Sequence, residues 1–265
     1  MIAKRLGILG AIAILPAFAQ VSTDQAPQVT PRQHRPIKDR VEHGDGTSTS
    51  TNWSGFAVTG SSFTAAKASW IVPTATCSSG EQYAAFWVGL DGYSSETVEQ
   101  TGTDSDCVGK NPSYYAWYEF YPAGSVLINL TIKPGDHMVA SVVYNGSEFT
   151  IKIEDVTTGK SYTKSSTVSG AQRSSAEWIA EAPCCTGSGG ILPLADFSTV
   201  LFGEDSTGIG GTNYAQNGST KGPIGLFPAS SIEQIMMATS GGTAEATPSA
   251  LSTDGTSFSV TWNSR

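Results

Sequence analysis

Short runs of alternating apolar and polar residues, separated by turn residues, follow one another from about residue 52 to the end of the chain. A period of two is typical of a β-strand that has one buried face. Asn145-Gly146 is the strongest turn signal, and it predicts a hairpin between His137–Tyr144 and Glu148–Val156. The other predicted strands are residues 66–72, 84–90, 115–121, 126–132, 199–202, 231–237 and 257–262.

The composition agrees with a β protein. No stretch shows clear helical periodicity, and 29 glycines together with abundant Ser and Thr favour many turns. A chain of 265 residues is long enough for one large all-β domain. We therefore predict an all-β fold, an antiparallel two-sheet β-sandwich of the concanavalin or jelly-roll type.

The N-terminal part of the chain has a different pattern and divides into two segments. Residues 1–19 combine Lys4 and Arg5, an apolar run and Ala17-Phe18-Ala19, which is the pattern of a secretory signal peptide with its cleavage site. The apolar run is shorter than the ~20 residues that a membrane span takes. Residues 20–51 are polar and are interpreted as a pro-segment or flexible leader. The β-sandwich domain is expected to cover residues 52–265 of a secreted monomer.

The charge distribution limits the possible partners. The chain has 15 Lys and Arg against 23 Asp and Glu, a formal net charge of −8, while the middle of the leader is basic. The acidic excess therefore falls on the domain. A surface of this sign repels nucleic acid and anionic membranes, so neither is expected as a partner.

Four cysteines in an exported chain favour disulfides. Cys77 and Cys107 flank one of the candidate stretches discussed below and are placed to clip its strands together. Cys184 and Cys185 are adjacent, so they form either a vicinal bridge or bonds to other sulfurs. Their spacing does not match a zinc site. The pairing of the four cysteines is left open at this point.

The histidines are too scattered for the usual catalytic arrangements. His34 and His43 precede the domain, and His137 lies in a predicted turn. A Ser-His-Asp site, a Cys-His site or a His-rich metal site is therefore hard to assemble. We expect carboxylates and amides to carry the chemistry, with no metal and no cofactor.

Period-two alternation sorts the polar side chains by face. Glu177 and Glu181 share one face of their strand, and Gln100 points away from Glu99. Glu119 shares its face with two aromatic residues. If the sheet bends, these carboxylates and the amide meet on one concave surface that also holds the aromatic side chains Trp87, Trp117 and Tyr121.

Such a groove on its own fits more than one function. A glycoside hydrolase could use Glu119 and Glu181 as its carboxylate pair, although this leaves Gln100 without a task. A secreted carbohydrate-binding module could stack sugar rings on Trp87, Trp117 and Tyr121, although this leaves the two carboxylates of the later strand unexplained. A peptidase is the third possibility, and the order of the motifs favours it.

The motifs resemble those of the glutamic peptidases, or eqolisins, in order from about residue 52 to residue 202. The resemblance implies a β-sandwich and an acid-active endopeptidase with polypeptide substrates, in which Gln100 stabilises the oxyanion and Glu181 is the general base. It implies supporting or substrate-binding positions for Trp87, Asp91, Trp117, Glu119 and Glu177. The period-two alternation adds Tyr121 as a substrate-binding residue. The matching segments are residues 52–55, 87–92, 100–102, 116–122, 176–181 and 192–197.

The implied chemistry suits acid pH. An imidazole base with an ordinary pKa of about 6.5 is protonated near pH ~3.5, whereas a carboxylate with a pKa of about 4.3 is still partly ionised. An amide does not titrate, so it can donate a hydrogen bond at any pH. No metal and no acyl-enzyme is required.

The basic leader next to acidic groove residues predicts self-inhibition. We expect basic leader side chains to pair at neutral pH with Glu119, Glu177 and Glu181, and acidification to weaken these pairs. The leader is then expected to be cut by the enzyme itself near Thr47–Thr51, in a linker rich in Gly, Ser and Thr. The basic side chains concerned are Arg32, Arg35, Lys38 and Arg40.

Overall fold

The computed structural model of the protein describes residues 30–184 and 190–264. The predicted signal peptide, the first part of the leader and Cys185 lie outside the described residues. In the described ranges no helix has the length and apolar character to cross a membrane. Helical structure consists of α1 (Glu204–Thr207) and two 3₁₀ turns, Ile224–Leu226 and Ala229–Ser231.

The strands account for most of the regular structure. They are β1 (Val41–Glu42), β2 (Thr47–Ser50), β3 (Trp53–Thr59), β4 (Phe63–Ile71), β5 (Glu81–Gln82), β6 (Ala85–Leu90), β7 (Val98–Val108), β8 (Asn111–Tyr121), β9 (Val126–Ile128), β10 (His137–Tyr144), β11 (Phe149–Asp155), β12 (Lys160–Ser166), β13 (Ser175–Glu181), β14 (Thr199–Phe202), β15 (Tyr214–Asn217), β16 (Thr220–Pro223), β17 (Ile232–Ala238), β18 (Ala244–Pro248) and β19 (Phe258–Trp262).

Two antiparallel ladders form the sandwich. The first has the order β9-β8-β7-β6-β13-β3-β17. The second has the order β12-β11-β10-β4-β14-β19-β18. Pairing of β17 with β18 connects the two ladders at one edge. The predicted antiparallel β-sandwich is confirmed.

The core lies between the ladders and takes alternate residues from each strand. In β13, Ala176, Trp178 and Ala180 are buried in this core. Trp178 also donates its indole N–H to the carbonyl oxygen of Lys67 in β4, at 2.9 Å, so it binds one ladder to the other. Burying a side chain of this size stabilises the fold by about 1.5–3 kcal/mol. A register slip of one residue would remove that burial, so the core fixes which side chains face away from it.

The nine strands predicted from the sequence pattern each coincide with a described strand, whereas β3, β12, β15, β16 and β18 were not predicted. His137–Tyr144 is β10 as predicted, and its hairpin to β11 closes with a hydrogen bond from the Asn145 N–H to the Glu148 carbonyl oxygen at 3.1 Å. Most other predicted strands agree within a few residues. The run 126–132 is shorter than predicted, because only β9 continues the ladder and residues 129–132 leave it.

The leader is packed against the rest of the chain from residue 31 onward, so these residues are not a flexible segment. Residues 31–265 form one compact unit, and the expected boundary at residue 52 falls inside it. Strand β2 pairs in parallel with β17, and Ser48 and Ser50 are buried. The cause is main-chain pairing, which holds a polar segment without any apolar pattern.

A disulfide joins Cys77 to Cys107 across 30 residues of sequence, at the end of the strand that carries Gln100. The Cys77→Ala/Cys107→Ala variant should lose about 3–4 kcal/mol of unfolding free energy, because the cross-link restricts the unfolded chain. Guanidinium denaturation of the variant and of the oxidised wild type measures the loss, with the reduced wild type as control. A loss below ~1 kcal/mol would contradict this account of the bridge.

Candidate active site

The first ladder carries its polar side chains on the face that points away from the core. Strands β13, β6, β7 and β8 are neighbours, and their registers align residues in rows across the strands. Side chains within a row point to the same face. Three successive rows are Glu181–Ala85–Asp104–Tyr115, Ile179–Trp87–Gly102–Trp117 and Glu177–Gly89–Gln100–Glu119. The predicted shared face of the carboxylates, the amide and the two tryptophans is confirmed.

Gly102 sets the depth of this surface between Trp87 and Trp117. A Cβ at residue 102 would lie 2.4 Å from the Phe86 carbonyl oxygen and 2.6 Å from the Trp87 Cβ. Only glycine fits this approach without moving main chain. The middle of the surface is therefore a groove with an indole on each side.

Glu181 is held at one end of the groove. Its carboxylate is 1% exposed, and its Oε2 accepts a hydrogen bond from the Trp87 indole N–H at 2.8 Å. The same oxygen lies 3.2 Å from Nδ1 of His34, and Oε1 accepts the main-chain N–H of Arg35 at 3.2 Å. Trp87 thus orients the carboxylate, and both of its oxygens face the leader.

Gln100 and Glu119 form the other side of the site. The Gln100 Nε2 amide donates to Glu119 Oε2 and to the carbonyl oxygen of His34, at 3.2 Å in each case. Glu119 Oε2 also accepts the main-chain N–H of His34 at 3.0 Å. Burial raises the pKa of Glu119 well above its usual range, while the hydrogen bond from His34 acts in the opposite direction. Gln100 is therefore oriented by a neighbour that stays protonated more readily than an ordinary glutamate.

The leader fills the groove with His34. This side chain is fully buried and stacks on Trp117 with ring centroids 3.6 Å apart and an interplanar angle of 6°. Its Nε2 lies 3.8 Å from Asp104 Oδ1. Burial lowers the pKa of the imidazole, while the hydrogen bond and the charge of Glu181 raise it. The expectation that guanidinium groups would pair with the groove carboxylates is wrong, because an imidazole and two peptide N–H groups make those contacts.

The basic side chains of the leader bind at other places. Arg32 lies over the ring of Tyr83 and donates to its hydroxyl at 2.9 Å. Arg35 donates to the Gln33 side chain at 3.1 Å, within the leader itself. Arg40 stacks over another tyrosine ring and pairs with a glutamate of the leader at 3.1 Å. These contacts hold the segment in place.

Asp104 and Asp106 belong to the site although the sequence analysis did not single them out. Asp104 accepts the Trp117 indole N–H at 2.6 Å, and the Tyr115 hydroxyl oxygen lies 2.7 Å from Asp104 Oδ2 and 2.8 Å from Asp106 Oδ2, so one hydroxyl bridges the two carboxyls. Burial raises the pKa of both carboxyls, that of Asp106 to about 7. The alternation that selected Gln100 also places residue 104 on its face, so this signal could have found Asp104.

Three predicted site residues lie apart from the leader. Asp91 accepts hydrogen bonds from the main-chain N–H groups of residues 172–174, at 2.7–2.9 Å, and so anchors the loop before β13. Glu177 is buried in the same row as Gln100, with β6 between their two strands, and Tyr121 is half-buried at the end of β8. Within the described ranges the hydrogen bonds of the leader involve none of the three. Their role in substrate binding stays a prediction.

Comparison with known proteins identifies the family. The model of the Peptidase A4 family matches residues 51–260. The chain belongs to the peptidase A4 family. Aspergillopepsin-2 of Aspergillus niger is 30% identical over 196 residues, which is 64% of this chain and 69% of that protein. Scytalidopepsin B of Scytalidium lignicola is 35% identical over 161 residues, which is 57% of this chain and 60% of that protein.

A solved structure supports the same assignment. The crystal structure of scytalido-glutamic peptidase with a transition state analog inhibitor aligns with a TM-score of 0.66 and 26% identity, covering 80% of this chain and 98% of that one. The predicted resemblance to glutamic peptidases is therefore confirmed, and with it the assignment as a hydrolase of peptide bonds.

The buried carboxyls of this A4 peptidase make its stability depend on pH. Burial raises the pKa of Glu177 well above its usual range and that of Glu99 to about 9. A group with a raised pKa in the folded state keeps a proton that the unfolded chain has lost above pH ~4. Its contribution to stability is therefore complete below about pH 4 and is lost as the pH rises through the folded value.

We expect the unfolding free energy to fall as the pH rises above about 4. The fall should continue through the pKa of Asp106, about 7, and toward the pKa of Glu99, about 9. Each such group contributes a slope of up to about 1.4 kcal/mol per pH unit. Glu99→Gln cannot titrate and should flatten the fall, whereas Glu96→Gln on the exposed surface should not change it. Denaturation midpoints across this range measure the slopes. Parallel curves for Glu99→Gln and the wild type would contradict the prediction.

Proposed function

We propose that this peptidase is a secreted, acid-active endopeptidase in which Glu181 is the general base and Gln100 stabilises the oxyanion. One observation carries the proposal. The peptide bond between His34 and Arg35 lies across the pair, with its carbonyl oxygen 3.2 Å from Gln100 Nε2 and its N–H 3.2 Å from Glu181 Oε1. A peptide substrate placed in the same way presents its carbonyl to the amide and its leaving nitrogen to the carboxylate.

The reaction follows from these two positions. Glu181 removes a proton from a water molecule as the water oxygen attacks the carbonyl carbon. Negative charge develops on the carbonyl oxygen, where Gln100 donates its hydrogen bond; such a donor is worth about 2.7–4 kcal/mol in kcat. Glu181 then returns the proton to the leaving nitrogen. Trp87, through its 2.8 Å hydrogen bond, keeps the carboxylate in place throughout.

The carboxyls around Glu181 and Gln100 support activity at acid pH. The carboxyls of Glu119 and Asp104 have raised pKa values because they are buried, so they carry protons where ordinary carboxyls have lost them. Protonation removes like-charge repulsion in the groove. The fold also gains stability toward acid for the same reason.

The remaining parts of the chain complete the proposal. Residues 20–51 are a pro-segment, whose residues His34 and Arg35 cover the groove until the segment is removed, and residues 1–19 direct secretion. The enzyme is a monomer that acts on polypeptides and needs no cofactor. Glycoside hydrolysis with Glu119 and Glu181, and sugar binding on Trp87, Trp117 and Tyr121, are set aside because the chain belongs to a peptidase family.

Glu181→Gln and Gln100→Ala should each reduce digestion of an unfolded protein near pH ~3.5 by at least about 100-fold, because one removes the base and the other the oxyanion donor. The leader of each variant is first removed in trans by immobilised wild-type enzyme, so that a covered groove does not explain the loss. Glu99→Gln, whose row neighbours Leu90 and Phe120 lie in the core, is the matched control and should stay active. Wild-type turnover by a folded Glu181→Gln protein would refute the mechanism.

Inhibitors provide a second test. Activity should persist with a chelator, with a serine-directed reagent and with pepstatin, because the mechanism uses neither a metal, nor an activated serine, nor an Asp dyad. The described residues contain no group of three or more His, Cys, Asp and Glu side chains that could ligate a metal ion. Loss of activity on chelation, restored by added metal, would instead indicate a metalloenzyme.

A further inference from the structure

The leader lies in the groove as an extended peptide held mainly through its main chain. Gln33 exchanges two main-chain hydrogen bonds with Cys184, at 3.1 and 2.9 Å. On the other side of the site, the Trp53 indole N–H donates to the Arg35 carbonyl oxygen at 3.1 Å. Farther along, the Ile37 N–H donates to the Gly92 carbonyl oxygen at 3.1 Å. Main-chain pairing of this kind binds an extended peptide whatever its side chains are.

One peptide bond of this segment is in register with the catalytic pair. Gln100 contacts the carbonyl oxygen of His34, and Glu181 contacts the N–H of Arg35, so both ends of the same bond are engaged. Shifting the segment by one residue would move this bond away and break the flanking pairs with Cys184 and Trp53. The register therefore selects a single bond.

We propose that the leader is bound as a substrate, that its first cut falls between His34 and Arg35, and that the site around His34 selects an imidazole side chain in the residue that supplies the attacked carbonyl. This inference rests on the proposed function. In the step, the water oxygen bonds to the His34 carbonyl carbon and the His34–Arg35 bond breaks. The products are a carboxylate at His34 and an amine at Arg35, which receives the proton that Glu181 took from the water.

Selectivity comes from the shape and polarity around the His34 ring. The flat imidazole ring stacks on the face of Trp117, with ring centroids 3.6 Å apart. A branched aliphatic side chain in place of the imidazole cannot make this stacking contact. At the ring edge, Glu181 Oε2 meets one nitrogen at 3.2 Å and Asp104 Oδ1 lies 3.8 Å from the other. An aliphatic side chain would leave these buried acceptors facing carbon. The next side chain, Arg35, donates a hydrogen bond to Gln33 within the leader.

This register replaces the expected cut near Thr47–Thr51. Those residues are not an exposed linker, because residues 47–50 form β2 within the sheet and pair with β17. A strand in that state cannot enter the groove without leaving the sheet. His34 and Arg35 already lie in the groove.

The first experiment locates the cut in the full chain. Purified protein that still carries the leader is acidified to about pH 3.5 with casein present, and the leader fragments are identified by mass spectrometry. We expect one new C-terminus at His34 and one new N-terminus at Arg35, absent in Glu181→Gln. Casein digestion with an intact His34–Arg35 bond would overturn this inference and leave the proposed function standing. No digestion of either would overturn the proposed function, and the inference with it.

The second experiment measures selectivity without the folded leader. A synthetic peptide of residues 30–39 is compared with copies in which His34 is replaced by Phe, Leu or Ala, using mature enzyme. We expect kcat/KM for the histidine peptide to exceed that of the Leu and Ala peptides by about ten-fold or more, with Phe between them because it stacks but lacks ring nitrogens. Equal values, or cleavage at another bond, would overturn the inference.

A matched enzyme variant separates selectivity from general damage. Trp117→Leu removes the stacking surface and should bring the His-to-Ala ratio of kcat/KM close to one, while Leu226→Ala, at an exposed position of the domain, should leave the ratio unchanged. A ten-fold ratio retained by Trp117→Leu would show that the ring does not select the substrate. The peptide series decides the question if that variant fails to fold.

Discussion

The alternation of side chains along four paired strands, β13, β6, β7 and β8, is the constraint on which the rest of the structure depends. One set of alternate residues, including Trp178, packs between the ladders and fixes the register. The other set must then point away from the core, and it contains Gln100, Glu119 and Glu181. The apolar core therefore positions the polar site, although no core residue touches the peptide bond.

Concentrating carboxyls on one covered face has an energetic consequence. Desolvation penalises the charged form of a carboxyl, and acidic neighbours add to this effect. Glu119, Asp104 and Glu177 all have raised pKa values for this reason. A protein built in this way gains stability in acid and loses it toward neutral pH. The proposed acid activity and the expected acid stability thus have one physical origin, the burial of carboxyls.

The leader contributes main-chain hydrogen bonds to the same face. It supplies peptide N–H groups to Glu119 and Glu181 and a carbonyl to Gln100, so each of these three side chains has a main-chain partner in the leader. Buried acceptors without partners are costly, which explains why a polar segment with no apolar pattern is well packed. The same contacts make the leader resemble a substrate, since a substrate must satisfy the same groups.

The sequence by itself determined the strands, the hairpin at Asn145-Gly146 and the face of each carboxylate, because all of these follow from local periodicity and turn chemistry. The ordered motifs also indicated the family. Only the tertiary structure decided that His34 occupies the groove and that Asp91 anchors a loop. These contacts join residues far apart in the chain through main-chain atoms and long-range packing. Such atoms are the same in every residue, so the side-chain pattern of a sequence carries no record of where they pair.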